Sequence, residues 1–184
     1  MRFFLCLLLV LSFCGCSQST DVPSLTQCYP CTYILSGEMG GIACSFSLEM
    51  NAVGKGTLSF RAPEALAGVQ FLVHSLPEVD AESDALQYAE RGLTVRVGAV
   101  EIPLSEGAYP ATIYGVIKAF STTNDKLSDV SKQDNSTRMT FTYPDGYLTF
   151  TVTADGTPTH VYIDLYGTVC DLTIENITYK ENTL

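Results

Sequence analysis

Histidine and positive charge are scarce in this chain of 184 residues. It has 2 histidines, and its 10 lysines and arginines are outnumbered by 20 aspartates and glutamates, which gives a formal net charge of −10. No basic run occurs, so the clustered lysines and arginines that bind a nucleic-acid backbone are missing. We therefore expect no nucleic-acid partner and a solvated, acidic surface.

Recognisable catalytic motifs are also missing. Neither His74 nor His160 lies in a motif, and the sequence has no phosphate-binding loop, no Gly-x-Ser-x-Gly turn and no His-Glu-x-x-His helix. The carboxylates Asp80, Glu82 and Asp84 lie in a loop of small and polar residues, which is typical of a solvated turn. The sequence therefore predicts a protein that is not an enzyme and that uses no cofactor or metal.

The one long apolar run lies at the start of the chain. A positive residue precedes the apolar residues 3–13, and Gly15-Cys16 closes the run as a bacterial lipoprotein signal peptide closes. The run is too short to span a hydrocarbon core of about 30 Å as a helix. We predict a signal peptide over residues 1–15 and lipidation of Cys16, which would anchor the exported protein to the outer face of the bacterial cell membrane. Lipidation of Cys14 and plain secretion are the alternatives.

Four cysteines follow the leader: Cys28, Cys31, Cys44 and Cys170. Their number is even, and disulfides persist in exported proteins. Cys28 and Cys31 precede strand-like sequence, whereas a redox Cys-x-x-Cys motif opens a helix. We predict a Cys28–Cys31 disulfide in a small loop. Free or otherwise paired thiols and a zinc site are the alternatives, and a bridge between Cys44 and Cys170 stays open.

Residues 16–32 form a tether, and residues 33–180 form one domain. The tether is rich in Ser, Thr, Gln and Pro. The domain consists of short alternating segments separated by Gly, Pro, Asn and Asp clusters, which predicts antiparallel strands. Residues 121–136 are polar and without periodicity, so we predict a long loop or a partly disordered segment there. The length suits a single monomeric domain with a substantial core.

The hydrophobic period changes to that of a helix only once. Ile113, Val116, Ile117 and Phe120 follow Pro110 at the spacing of one helical face. One helix covers less surface than the apolar face of the sheet offers, so the sheet must curl. The predicted fold is mainly β within the α+β class: a curled antiparallel sheet forms an incomplete β-barrel, capped by one or two helices. Such a barrel either packs solid or keeps an apolar cavity.

Three stretches of the sequence resemble the LolA/LppX-like family of lipoprotein carriers. They are residues 56–69 with the Leu66-Ala67-Gly68 junction, residues 92–120, and residues 149–163 with the turn Ala154-Asp155-Gly156-Thr157-Pro158. The chain is still more similar to Firmicutes surface lipoproteins with that fold. The resemblance implies an incomplete antiparallel barrel whose concave face, capped by helices, holds acyl chains or other apolar molecules.

The predicted function is a membrane-anchored lipoprotein that binds an apolar or lipid-like ligand without changing it chemically. The ligand would bury apolar area against the inner face, gated by movement of the helix at residues 110–120. The predicted ligand-binding residues are Phe46, Leu48, Phe60, Phe71, Ile113, Ile117, Phe120, Phe150 and Ile163. The competing interpretation is that these side chains form an ordinary filled core. The chain would then be a solid protein-interaction or accessory module at the cell surface.

Overall fold

The computed structural model describes residues 25, 29–76, 78–79, 86–87, 92–104 and 108–180. The predicted signal peptide, Cys16 and Cys28 lie outside the described residues. Leu25 is half-buried and packs against the core, so the chain contacts the domain before its first strand begins. That strand starts at Cys31.

The described residues contain thirteen β-strands and one α-helix. The strands are β1 (Cys31–Met39), β2 (Ile42–Ala52), β3 (Lys55–Ala62), β4 (Val69–Val73), β5 (Glu78–Val79), β6 (Leu86–Gln87), β7 (Leu93–Val97), β8 (Val100–Leu104), β9 (Leu127–Gln133), β10 (Ser136–Tyr143), β11 (Gly146–Thr153), β12 (Pro158–Leu165) and β13 (Thr168–Tyr179). The helix, α1, is Ala108–Ala119. Single 3-10 turns lie at Glu64–Leu66 and Asn124–Lys126.

Eleven strands form one antiparallel sheet in the order β8-β7-β4-β3-β2-β1-β13-β12-β11-β10-β9, while β5 and β6 pair separately. The first strand lies inside the sheet, because β1 pairs with β2 on one side and with β13 on the other. The sheet is unclosed, with β8 and β9 as its edges. This architecture confirms the predicted fold class, a curled antiparallel sheet that forms an incomplete barrel with a helix at its concave face.

One face of the sheet is dry, as the alternating pattern predicts. Along β2 the side chains of Cys44, Phe46, Leu48 and Met50 are buried, and the residues between them are half-buried. The inward residues of β1, β3 and β10 to β13 join them in one apolar core. Burial of each large apolar side chain contributes about 1.5–3 kcal/mol, so this shared face is what holds the sheet curled.

Helix α1 lies within the curl of the sheet. Its predicted apolar stripe, Ile113, Val116, Ile117 and Phe120, is buried. The opposite side is also covered: from residue 111 to residue 119 only Thr112 and Lys118 are half-buried, and the other residues are buried. The helix therefore caps the incomplete barrel by filling its concave side, as a plug that is covered on both sides over most of its length.

The C-terminal end of α1 is fixed by hydrogen bonds to three parts of the fold. The Tyr29 hydroxyl donates to the Phe120 carbonyl at 2.8 Å, and the Gly54 N–H donates to Ser121 Oγ at 2.8 Å. Lys118 Nζ donates to both carboxylate oxygens of Asp145, at 3.1 and 3.0 Å. The C-terminal end of α1 is therefore held by these hydrogen bonds, which lie at the opposite end of the helix from its first turns.

The prediction of a long loop at residues 121–136 is wrong. It contains the 3-10 turn Asn124–Lys126 and the strand β9, which pairs with β10 along its length. Most of the β9 side chains are exposed, because β9 is an edge strand at the open side of the sheet. Neither of its faces is buried, so the apolar alternation that marks the other strands is absent from its sequence.

Candidate functional site

A partly open pocket of about 270 Å³ lies at the end of β1 where the chain turns into β2. Strand ends, the first 3-10 turn and the early part of α1 supply its walls. The lining residues are Met39, Gly40, Ile42, Cys44, Phe60, Leu66, Phe71, Thr112, Ile113 and Thr168. Eight of the ten are apolar residues, cysteine or glycine, so the pocket suits an apolar molecule.

Two aromatic rings form one wall of the pocket. Phe60 on β3 and Phe71 on β4 meet edge to face, with their ring centroids 5.7 Å apart. Phe60 also contacts Phe46, at 5.4 Å between centroids, and this contact joins the wall to the filled core. Both rings point inward because strand alternation places Phe60 on the same face as Leu58, which pairs directly with Phe71. The wall is thus a continuation of the core's own packing.

The apolar surface continues beyond the pocket. Val95 pairs with Phe71 on one side and with Ile102 on the other, and Val97 pairs with Val100, so these four side chains share the inner face of the sheet. We call Val95, Val97, Val100 and Ile102 the open wall. Val97, Val100 and Ile102 are 53%, 60% and 51% exposed. An apolar inner face therefore extends from the pocket into solvent at the β7–β8 hairpin.

Two threonines supply the hydroxyl side chains of the pocket, and none of the lining residues is charged. Thr168 Oγ1 donates to the Leu165 carbonyl at 3.1 Å. Within the described residues, the Thr112 hydroxyl makes no hydrogen bond. Three charged residues are close in sequence to lining residues, namely Glu38, Arg61 and Glu64, but none of them lines the pocket. The pocket is thus an uncharged site with hydroxyl groups.

Cys44 lines the pocket as a protonated thiol. Burial raises the pKa of the Cys44 thiol, and burial raises the pKa of the Cys170 thiol to about 12. Both cysteines are free. They lie on the two strands that flank β1, since Cys44 pairs with Gly37 and Cys170 with Met39. Two strands with a third strand between them are about 9.5 Å apart, which exceeds the reach of a disulfide. A disulfide between Cys44 and Cys170 is therefore not formed.

The predicted ligand-binding residues divide into two groups. Phe60, Phe71 and Ile113 line the pocket. The other six, Phe46, Leu48, Ile117, Phe120, Phe150 and Ile163, are at most 2% exposed and belong to the filled core. Phe120 contacts Tyr33 at 4.5 Å and Phe150 at 5.7 Å between ring centroids, which shows how closely this part is packed.

Sequence reasoning missed seven lining residues, which lie near strand ends, in turns and on α1: Met39, Gly40, Ile42, Cys44, Leu66, Thr112 and Thr168. Mid-strand alternation points to the centre of a sheet, whereas this pocket lies where β1 turns into β2 and β12 turns into β13. The signal that the sequence does carry is Gly40-Gly41, whose φ angles of 59° and 80° form the β1–β2 turn. A paired glycine turn leaves room beside it, because it carries no side chains.

The two remaining predicted cysteine sites stay predictions. Cys31 is buried at the start of β1, but its predicted partner Cys28 lies outside the described residues. Cys16, the predicted lipidation site, also lies outside them. In the part of the chain that the structure describes, no helix has the length and apolar character that a membrane crossing requires.

The histidines and acidic residues do not assemble at the pocket. His74 Nε2 lies 3.3 Å from Thr94 Oγ1, and His160 Nε2 lies 2.6 Å from Asp171 Oδ1 at an exposed position. Among the described residues, no group of three or more His, Cys, Asp or Glu side chains comes together as metal ligands would. The chemistry that the pocket itself offers is therefore apolar contact and hydrogen bonding.

No family model and no curated protein sequence matches the chain. Solved structures are similar to it over most of its length at low identity. An uncharacterized conserved protein from Thermus thermophilus is 10% identical with a TM-score of 0.44, over 83% of this chain and 80% of its own. A LolA superfamily protein from Nitrosomonas europaea is 10% identical with a TM-score of 0.40, over 82% and 85%. A DUF1329 family protein from Desulfovibrio piger is 11% identical with a TM-score of 0.39, over 84% and 88%.

Identities and TM-scores this low assign neither a function nor a ligand to the chain.

Proposed function

We propose that this protein binds an apolar or lipid-like ligand in the pocket and does no chemistry on it. The observation that carries the proposal is an apolar pocket of about 270 Å³ that continues into the exposed open wall. Ligand pockets have volumes of about 300–1,000 Å³, so the pocket alone is small and the wall supplies the additional area. Each 100 Å² of apolar ligand surface removed from water contributes about 2.5 kcal/mol.

The early part of α1 forms one wall of the pocket. Thr112 and Ile113 line the pocket, whereas Lys118 and the residues after it are bonded to the surrounding strands and loops. Movement of the first turns alone would widen the pocket and leave the core intact. We propose that this end of the helix is the gate, with the bonded end as its hinge.

We further propose that the protein is exported and held at the outer face of the bacterial cell membrane by a lipid on Cys16. The support is the leader, in which an apolar run ends in Gly15-Cys16. Globomycin, which inhibits lipoprotein signal peptidase, should block processing, and Cys16→Ser should release or mislocalise the protein. Cys14→Ser is the matched control and should change neither. A Cys16→Ser protein that remains acylated and membrane-bound would move the lipid to Cys14.

A second candidate function, a solid protein-interaction module, is favoured by the filled core. Six of the nine predicted ligand-binding residues are packed there, and the exposed open wall would then contact a partner protein instead of a ligand. The two candidates differ in where an apolar probe binds. The first requires the probe within the pocket.

The binding test is photo-cross-linking of the full chain in lipid nanodiscs with a dodecyl diazirine probe, followed by peptide mapping. We expect saturable labelling of peptides that contain residues 39–44 and 60–71. Ile42→Trp should reduce this labelling by filling the pocket, because Ile42 lines it and is 45% exposed. Val169→Trp is the control, since Val169 is 44% exposed and does not line the pocket. Labelling that is absent from the pocket, or unchanged by Ile42→Trp, would favour the interaction module.

A further inference from the structure

The hydrogen-bonding groups of the pocket limit which lipid-like ligand it accepts. Its hydroxyl side chains are Thr112 and Thr168, and both lie near the Gly40 turn. The Cβ position of Gly40 lies 3.9 Å from Thr112 Oγ1, and the Gly40 N–H donates to the Val169 carbonyl, so both threonines border the same turn. We infer that the ligand is an uncharged lipid whose head carries a hydroxyl group, such as a monoacylglycerol or a long-chain alcohol. This inference rests on the proposed function.

The two threonines leave both hydrogen-bonding roles open to such a head. The Thr168 hydroxyl donates its hydrogen bond to the Leu165 carbonyl, so its oxygen can still accept one from the ligand. Thr112 is half-buried and bonded to no other described residue, so its hydroxyl can donate or accept. A hydroxyl group is both donor and acceptor, and it complements this pair. A carboxylate would be an acceptor only and would leave the Thr168 oxygen without a donor.

Charge argues against an ionised head of either sign. None of the ten lining residues is charged, and an ionised group without a partner is costly to bury. The single lysine of α1, Lys118, is already bonded to Asp145. The chain's net charge of −10 opposes an anion in addition. The N–H groups at the start of α1, which would attract an anion, belong to residues 108, 109 and 111, because Pro110 has none, and these residues do not line the pocket.

The apolar part of the ligand has a continuous surface on which to lie. From the threonines the pocket runs past Phe60 and Phe71, and Phe71 pairs with Val95 of the open wall. A head at the Gly40 turn therefore places its chain along the two aromatic rings and then against the open wall. The site is built for one polar end and one apolar chain.

The test is competition against the dodecyl diazirine probe in the full chain, with three competitors of equal chain length. These are monolauroylglycerol, laurate at a pH where it is ionised, and dodecyltrimethylammonium. We expect monolauroylglycerol to halve the labelling at a concentration about tenfold lower than either charged competitor needs. Equal or better competition by laurate or by the ammonium compound would overturn the inference and leave the proposed function standing. Absence of pocket labelling by the probe itself would overturn both.

Thr112 gives a second, independent readout. Thr112→Val removes the hydroxyl at nearly constant shape. It should reduce the preference for monolauroylglycerol over dodecyltrimethylammonium, whose head has no hydrogen-bonding group, about fivefold, the loss expected for one hydrogen bond. Thr112→Ser should restore the preference. Thr173→Val, at an exposed position on β13 outside the pocket, is the control and should leave it unchanged. If Thr112→Val weakens all three competitors equally, the hydroxyl only supports the structure and does not select the head.

Discussion

Gly56 on β3 and Ile117 on α1 are in contact, with no space for a side chain between them. A Cβ atom on Gly56 would lie 2.8 Å from Ile117 Cδ1 and 2.8 Å from the carbonyl oxygen of Glu49. Because the second of these atoms belongs to the backbone of the neighbouring strand, it cannot rotate away. The close packing of α1 against β3 therefore requires a glycine at position 56.

Replacement of that glycine should loosen the plug. We expect Gly56→Ala to reduce the free energy of unfolding by about 1–3 kcal/mol, the usual cost of overpacking a core. Urea denaturation followed by far-ultraviolet circular dichroism measures this directly. A midpoint equal to that of the parent protein would mean that Ile117 is not held against β3.

Gly115, within α1, should respond in the opposite direction. A Cβ atom there would lie 3.6 Å from Ile163 Cγ2 and farther from its other neighbours, which is ordinary van der Waals contact. Alanine is favoured over glycine in a helix by about 0.8–1.0 kcal/mol, so Gly115→Ala should stabilise the protein by up to that amount. The same denaturation experiment serves, and a lower midpoint would show that the helix is closer to β12 than the structure places it.

Lys118 should contribute measurably to stability because its charge is held at a half-buried position. Its Nζ atom bonds both oxygens of Asp145 and lies 4.6 Å and 4.9 Å from the ring centroids of Tyr143 and Tyr166. Lys118→Met leaves the Asp145 carboxylate without its cation and hydrogen-bond donor, at a cost of about 1–3 kcal/mol. Adding Asp145→Asn should recover part of this loss. A double-mutant cycle with no coupling between the two positions would contradict the pairing.

Stability should fall at alkaline pH. The pKa of the Cys170 thiol rises on folding from 9.0 to about 12 because of burial, so the protonated thiol is the form that the fold favours. Its contribution is complete below pH 9 and is lost as the pH rises towards 12, with a slope of about 1.4 kcal/mol per pH unit. Cys170→Ala should remove that part of the slope. Leu172→Ala, a buried neighbour that does not titrate, should lower stability equally at every pH.

Much of the fold could be predicted from the sequence because one buried face produces an alternating hydrophobic pattern in most of the strands. Phe46 and Leu48 on β2, and the stripe of α1, are buried as their spacing indicates. The edge strand β9 shows no such pattern, since neither of its faces is covered. The pocket could be predicted only in part. Phe60, Phe71 and Ile113 share the inward pattern, whereas Thr112 and Thr168 reach the pocket through turns and helix placement that no period encodes.

The position of β1 inside the sheet has a consequence for the order of folding. One neighbour, β2, follows directly in the chain, but the other, β13, is the last strand, and the pairing of Cys31 with Tyr179 joins nearly the two ends of the domain. When the N-terminus emerges first, from a ribosome or through a translocation channel, one edge of β1 stays unpaired until β13 emerges. Contacts this distant in sequence form late, since closing a long loop costs entropy before any contact rewards it. The sheet therefore becomes continuous only when the C-terminal strand has been delivered, and a chain truncated before Thr168 would present β1 as an unprotected edge.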